Sequence, residues 1–110
     1  MGRFVRGDVV VITFPYSDLS AAKKRSALVV APLDGDDVIL CQITSQTVSD
    51  RYGIALGSTD FGSGGLKHAS NVRPNRLFTA DGRLVSYSAE VIKEEKLQEV
   101  LQRIIQIIGG

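Results

Sequence analysis

Two short apolar runs near the N-terminus, Val9 to Phe14 and Ala27 to Ala31, limit what this chain can fold into. Both are β-branched or otherwise apolar, and both close on a proline, Pro15 and Pro32, which has no N–H with which to continue a ladder. Runs of that length and composition, bounded by turn residues, are strands. The near-continuous apolar character of the first implies burial on both faces or a strongly curved barrel strand. Between the runs lies a polar loop with Asp18 and Ser20, residues that punctuate regular structure, ending in the basic triplet Lys23-Lys24-Arg25. Gly7 to Pro32 therefore predicts strand, loop and strand, the second strand running from Ser26 to Ala31. Three adjacent cations at the end of a loop held by two strands make an anion site the first functional hypothesis. The plainer alternative is a solvated loop.

The chain has 110 residues, enough for one core and too few for two, so residues 1–110 are expected to form one domain. A hydrophobic fraction of 44% with 23% charged residues is that of an ordinary globular protein. No apolar run approaches the ~20 residues of a membrane span, and Met1-Gly2-Arg3-Phe4 lacks the apolar segment of a signal peptide, so a cytoplasmic protein without a membrane partner is expected. The single cysteine, Cys41, sits in the apolar run Val38 to Ile43, which predicts a buried structural thiol and suits a reducing compartment. A net charge of +1 excludes nothing, but its distribution is uneven. Residues 1–25 balance to +3, residues 26–60 to −4, residues 61–89 to +3 and residues 90–110 to −1. Two basic segments that fold together would make a one-sided basic surface.

Asp34-Gly35-Asp36-Asp37 carries the Asp-Gly pair of tight hairpins and should join Ala27–Ala31 to a strand over Val38–Ser45. In that strand Val38, Leu40 and Gln42 share one face and Ile39, Cys41 and Ile43 the other. Thr44-Ser45-Gln46-Thr47 then places hydroxyl and amide groups where the strand leaves the core, well suited to contact a ligand. Tyr52 to Leu56 reads as a short edge strand, and Gly57 to Gly65 as a loop. Its Gly62-Ser63-Gly64-Gly65 lacks the Gly-Lys-Ser/Thr and the following helix of a phosphate-binding loop. Val72 to Thr79 is a further strand in which Pro74 should mark an edge or a bulge. Asp81-Gly82 is a second hairpin signal, leading into Leu84 to Tyr87. Only the C-terminus reads as helix: Leu97, Val100, Leu101, Ile104, Ile105 and Ile108 fall on one stripe, with Glu94 and Glu95 in the first turn. That stripe is expected to pack on the chain's own sheet. The fold class expected is mainly β, about five to seven short, mostly antiparallel strands in a small curled barrel closed by one C-terminal α-helix.

Several of these residues together resemble one family. Gly7-Asp8-Val9-Val10, Phe14-Pro15, Lys24-Arg25, Ala27-Leu28-Val29-Val30 and Ile43-Thr44-Ser45-Gln46 are similar to the PemK/MazF toxins of type II toxin–antitoxin systems. Asp60-Phe61, Gly64-Gly65-Leu66, Ser70-Asn71-Val72-Arg73, Phe78-Thr79 and the closing helix continue the likeness in the same order along almost the whole chain. The resemblance implies an SH3-like barrel of the PemK/MazF/CcdB kind and a homodimer. It also implies metal-independent, sequence-selective endoribonuclease activity on single-stranded RNA, with no cofactor. It implies Arg25 and Thr44 as the catalytic pair. The partners it implies are a cognate antitoxin with an acidic, disordered tail and, only through the antitoxin complex, operator DNA. Two positions depart from the family pattern: Ser26 stands where proline usually follows the arginine, and Ala89-Glu90-Val91-Ile92 replaces the usual Ile-Gly before the final helix.

The chemistry of RNA cleavage by its own 2′-hydroxyl suits these residue types. It needs a base for that hydroxyl, donors for the crowded phosphorane charge and an acid for the leaving oxygen. Arg25 offers several fixed donors to phosphate oxygens but, with a pKa above about 12, is a poor base. Thr44 can donate to the same oxygens and hold the phosphate in line. Lys23, Lys24, Ser26, Ser45 and Gln46 are the neighbouring RNA-binding candidates, Arg73 and Arg76 extend the track, and Phe14, Tyr16 or Phe61 are available for base stacking. His68, the only histidine, is the usual acid–base residue near neutral pH, yet its glycine-flanked setting beside Lys67 favours a solvated loop histidine, and the family pattern gives it no role. Two other classes stay open: a non-catalytic, growth-inhibiting toxin on the same fold, like the gyrase poisons, for which the apolar C-terminal helix is the motive, and a degenerate module that only binds RNA or an antitoxin.

Overall fold

The computed structural model describes the backbone of residues 4–15, 22–63 and 69–110, and their side chains except at 13–15, 22, 23, 63 and 87–89. Seven strands form one antiparallel sheet: β1 (Asp8–Pro15), β2 (Ala22–Pro32), β3 (Asp37–Thr44), β4 (Ile54–Leu56), β5 (Phe61–Ser63), β6 (Ser70–Asp81) and β7 (Val85–Ile92). Their order is β4-β6-β3-β2-β1-β7-β5, a sheet curled into a half-barrel, and one helix, α1 (Glu94–Gly109), closes it. No helix among the described residues is long and apolar enough to cross a membrane.

The apolar runs are continuous because both faces are buried. On one face Val9, Leu28, Val30, Cys41, Ile43 and Val72 pack with Leu97 and Val100 of α1. On the other, Val10, Ile12, Ala27, Val29, Val38 and Leu40 form a second cluster with Ala80. Residues that alternate along one strand thus serve different cores, and each fully buried Val, Leu or Ile contributes on the order of 1.5–3 kcal/mol.

The sheet departs from the sequence expectation in four places. First, Lys23-Lys24-Arg25 is not in the loop but inside β2, paired with Phe14, Thr13 and Ile12 of β1. The hairpin ladder recruits these polar residues because unpaired backbone groups beside a strand are costly. The loop residues Asp18 and Ser20 lie outside the described residues. Second, the stretch read as a loop from Gly57 contains a 3₁₀ turn (Ser58–Asp60) and β5. Asp60 ties that turn to the helix, its carbonyl accepting from Lys93 N at 2.8 Å and its carboxylate accepting from Gly57 N at 2.7 Å. Third, Asp81-Gly82 does not make a hairpin. A 3₁₀ turn (Gly82–Leu84) sends β7 across to pair with β1, the opposite side of the sheet from β6. A side chain at Gly82 would lie 2.7 Å from the carbonyl oxygen of Asp36, so close backbone approach, not hairpin geometry, selects glycine there. Fourth, the apolar stripe of α1 is only partly covered. Leu97 and Val100 are buried and Leu101 and Ile104 pack beside them, whereas Ile105 and Ile108 are 58% and 72% exposed.

Pro74 does mark a bulge. The β3–β6 register jumps from Cys41–Leu77 to Gln42–Arg73, leaving three residues of β6, Pro74 to Arg76, without opposite partners. Cys41 fills the resulting gap: its Sγ donates to the Arg73 carbonyl at 2.9 Å. The thiol is fully buried, and that burial pushes its pKa up to about 12, as expected of a structural cysteine.

Candidate functional site

The site candidates meet where β2 and β6 begin and β3 ends. β2 and β3 run antiparallel with Ala27 opposite Gln42, so two residues further on the corresponding positions are Arg25 and Thr44. On the other side of β3, Thr44 pairs with Asn71 and Gln42 with Arg73. Strand alternation puts Arg25 in phase with Ala27 and Val29, and Thr44 with Gln42 and Leu40. All five polar positions, Arg25, Gln42, Thr44, Asn71 and Arg73, therefore fall on the face of the second apolar cluster, at its margin. Arg25, Ser26 and Thr44 are half-buried there, while Lys24, Ser45, Gln46 and Arg76 are exposed.

The turn leaving β3 is held by side chains. Thr44 Oγ1 accepts from Gln46 N at 3.1 Å, the hydroxyl turn common to Ser and Thr. That bond uses the oxygen as acceptor. Asn71 Nδ2 donates to the Gln46 carbonyl at 3.2 Å. Further along, Arg73 Nη2 donates to Asp50 Oδ2 at 2.9 Å, and Asp50 Oδ1 accepts from Tyr52 N at 2.9 Å and Gly53 N at 3.3 Å. These contacts hold the Asp50 carboxyl below the usual carboxylate range, chiefly through the Tyr52 N–H, with Arg73 and Gly53 adding to it against the opposing effect of desolvation. From the helix, Arg103 Nη1 donates to the carbonyls of Arg51 at 3.1 Å and Tyr52 at 3.2 Å. An open cleft of about 490 Å³ follows, lined by Arg51, Tyr52, Arg103, Gln106 and Ile107.

Arg25, Ser26, Thr44, Ser45 and Gln46 share one end of the sheet. Arg73 shares it as well, but its guanidinium is committed to Asp50 rather than presented on an open track. Arg76 sits on the β6 bulge beside it. Phe61 is only 7% exposed in the first core cluster and is not available for stacking. The side chains of Phe14 and Lys23 and all of Tyr16 and His68 lie outside the described residues. Asn71 and Asp50 also stand at this end of the sheet, although the sequence singles out neither as a site candidate. The alternation Asn71, Val72, Arg73, polar on either side of a fully buried valine, carried a signal for the first. The turn bonds of Asp50 to Tyr52 and Gly53 N are local, but nothing local marks its link to β6, whose residues Arg73 and Asn75 are 23 and 25 positions away.

The sequence profile of the PemK-like, MazF-like toxins of type II toxin–antitoxin systems matches residues 5–108. This chain belongs to that family. Among solved structures, a MazE–MazF complex from Deinococcus radiodurans is similar, with 19% identity, a TM-score of 0.77 and 94% of each chain covered. A mycobacterial endoribonuclease in complex with its cognate antitoxin is similar with 14% identity and a TM-score of 0.75, over 96% of this chain and 95% of that one. The MazF-mt6 toxin of Mycobacterium tuberculosis is 10% identical, with a TM-score of 0.68 over 91% and 96% of the two chains. At such identities the likeness establishes the PemK/MazF-like fold. No curated protein matches the sequence.

Proposed function

We propose that this PemK/MazF-like toxin is a sequence-selective, metal-independent endoribonuclease of single-stranded RNA, with Arg25 and Thr44 as its catalytic pair. The observation that carries the reading is the strand register, which sets these two residues on one face at one end of adjacent strands. In this reading the ribose 2′-oxygen attacks the adjacent phosphorus and loses its proton to water. The bond to the 5′-oxygen breaks and that oxygen takes a proton, leaving a 2′,3′-cyclic phosphate and a 5′-hydroxyl. Arg25 donates to the non-bridging oxygens as their charge grows, and the Thr44 hydroxyl donates to the same phosphate, so that positioning and electrostatics supply most of the acceleration. Lys24 and Arg76, both exposed beside the pair, bind the RNA backbone. Ser26, Ser45 and Gln46 contact the nucleotides around the cut, with Lys23, Phe14 and Tyr16 completing the surface.

The partners proposed are an antitoxin whose acidic tail covers this basic end, and a second copy of the chain. Antitoxin-bound relatives support the first, and the exposed Ile105 and Ile108 of α1 support the second. The test is inducible expression with mapping of RNA 5′ ends, with and without chelator, beside Arg25→Ala and Thr44→Ala. New 5′ ends at a common sequence, insensitive to chelator and absent in both variants, are expected. Growth arrest with intact RNA overturns the ribonuclease reading in favour of a binding toxin, and cleavage that requires Mg²⁺ overturns the metal-independent mechanism.

A further inference from the structure

We infer that Asp50 is a positioning residue for substrate selectivity: through Arg73 it clamps the segment between β3 and β4, and so fixes the polar tip beside Thr44 against which the nucleotides next to the scissile phosphate are read. This inference rests on the ribonuclease reading and adds to it a residue that makes no contact with the reacting phosphate.

The segment from Ser45 to Gly53 leaves β3 at the proposed catalytic end and returns to the sheet at β4. Its tip, Ser45, Gln46 and Thr47, is exposed and rich in donors and acceptors, the groups that read the edges of unstacked bases. Discrimination by hydrogen bonds requires those groups to be held in place, because a donor free to move accommodates the wrong partner. A segment of this length with no ladder of its own must borrow its rigidity from the neighbouring elements. At its start it has Asn71 on the Gln46 carbonyl, and at its end Arg103 on the carbonyls of Arg51 and Tyr52. Between them Asp50 is the only residue that ties the segment sideways by its own side chain to β6 among the described residues, with Arg73 at 2.9 Å and Asn75 at 3.5 Å on Oδ2.

Two features make this more than a surface ion pair. The partners are 21% and 30% exposed, so the pair is partly shielded from water and salt. Arg73 also stands two ladder positions from the Thr44–Asn71 pair, on the same face and opposite Gln42, while its carbonyl takes the Cys41 thiol. The cation is thereby fixed by the core before it fixes Asp50. Its Nε is buried without a partner among the described residues, so Asp50 is what holds the charged end of that side chain. Thr44 itself is held by the β3–β6 ladder and does not depend on Asp50. Loss of the clamp should therefore loosen reading of the sequence more than it slows the chemical step.

The experiment compares wild type, Asp50→Ala, Asp50→Asn, Arg73→Ala and the Asp50→Ala/Arg73→Ala double variant. Each cleaves a randomised RNA pool, and kcat and KM are measured on the preferred sequence and on single-base mismatches of it. Asp50→Asn keeps an acceptor for the Tyr52 and Gly53 N–H groups and serves where Asp50→Ala fails to fold. In folded variants the ratio of preferred to mismatched cleavage should fall by about tenfold, with kcat of Asp50→Asn on the preferred sequence within about threefold of wild type. The double variant should be no less selective than either single one, as expected of residues acting as a unit. Unchanged selectivity in folded Asp50→Asn and Arg73→Ala overturns the inference, as does a loss of kcat equal on all sequences. A wild-type protein that cuts no RNA removes the ribonuclease reading and this inference with it, whereas a selective wild type with equally selective variants removes this inference alone.

Discussion

The strands β2, β3 and β6 have two ends of opposite character. At one, Asp34, Asp36 and Asp37 form an exposed acidic turn. Leu33 N donates to the Asp37 carbonyl at 2.9 Å and Gly82 N to the Asp36 carbonyl at 2.7 Å, and Arg83 Nη2 pairs with Asp81 at 2.6 Å. At the other end Lys24, Arg25, Thr44, Asn71, Arg73 and Arg76 come together from three strands. The first end spends its polar groups on its own backbone and closes a turn. The second gathers cations, a hydroxyl and amides around a segment that is held in shape from outside. Charge on the sheet is thus sorted by strand direction: antiparallel neighbours bring the starts of β2 and β6, both basic, to the end where β3 finishes. A turn that satisfies itself is scaffold, whereas polar groups supported from behind and open in front suit a ligand.

Substitutions at the two ends should therefore have opposite signatures. The largest expected effect is on cleavage: Arg25→Ala should lower it by at least about 100-fold, the loss typical of a missing donor to transition-state charge. Cleavage of a labelled RNA by the purified protein measures this, and a loss under about threefold would break the contrast. At the acidic end, Gly82→Ala should cost stability instead, about 1–3 kcal/mol by urea unfolding, because the added methyl meets the Asp36 carbonyl. Its folded fraction should cut RNA as wild type does. Lys24→Ala should weaken RNA binding by a few-fold and lower the salt slope of log K by about 0.7. Asp36→Asn with Asp37→Asn should leave that slope where it was, since both carboxylates lie at the far end. The slopes can be read from fluorescence titrations at several salt concentrations.

The smallest expected effect concerns pH. Asp50 is held below the usual aspartate range in the folded chain, so it stabilises the fold above the unfolded value of about 4 and that contribution is lost as pH falls through the lower, folded value. Wild type should thus melt above Asp50→Asn at neutral pH, and the two curves should converge on acidification. Melting temperatures that stay parallel down to acid pH would show that the carboxylate charge plays no part in the clamp.

Much of this was legible in the chain. The runs Val9 to Phe14 and Ala27 to Ala31, the Asp34-Gly35 turn, the bulge at Pro74 and the stripe of α1 each carry their own local signal, because alternation, turn chemistry and proline's missing N–H act over a few residues. What failed depended on partners distant in sequence. The basic triplet reads as the end of a loop, but it lies within β2 because β1 offers it a ladder. Asp81-Gly82 has the composition of a hairpin, yet β7 crosses to β1 and its glycine answers to Asp36. Phe61 reads as an exposed aromatic only until β5 and α1 bury it.

The sequence by itself determined that this chain is a mainly β protein with one closing helix and that Cys41 is structural. Periodicity and residue chemistry suffice for that. Arg25 and Thr44 stood out only through the resemblance of the surrounding motifs to the PemK/MazF toxins. Only the tertiary structure decided that these two share a face with Asn71, that Arg73 belongs to Asp50, and that the last turns of α1 stand clear of the sheet. Those facts follow from strand register, and register is set by how both faces of the whole sheet bury their apolar residues at once.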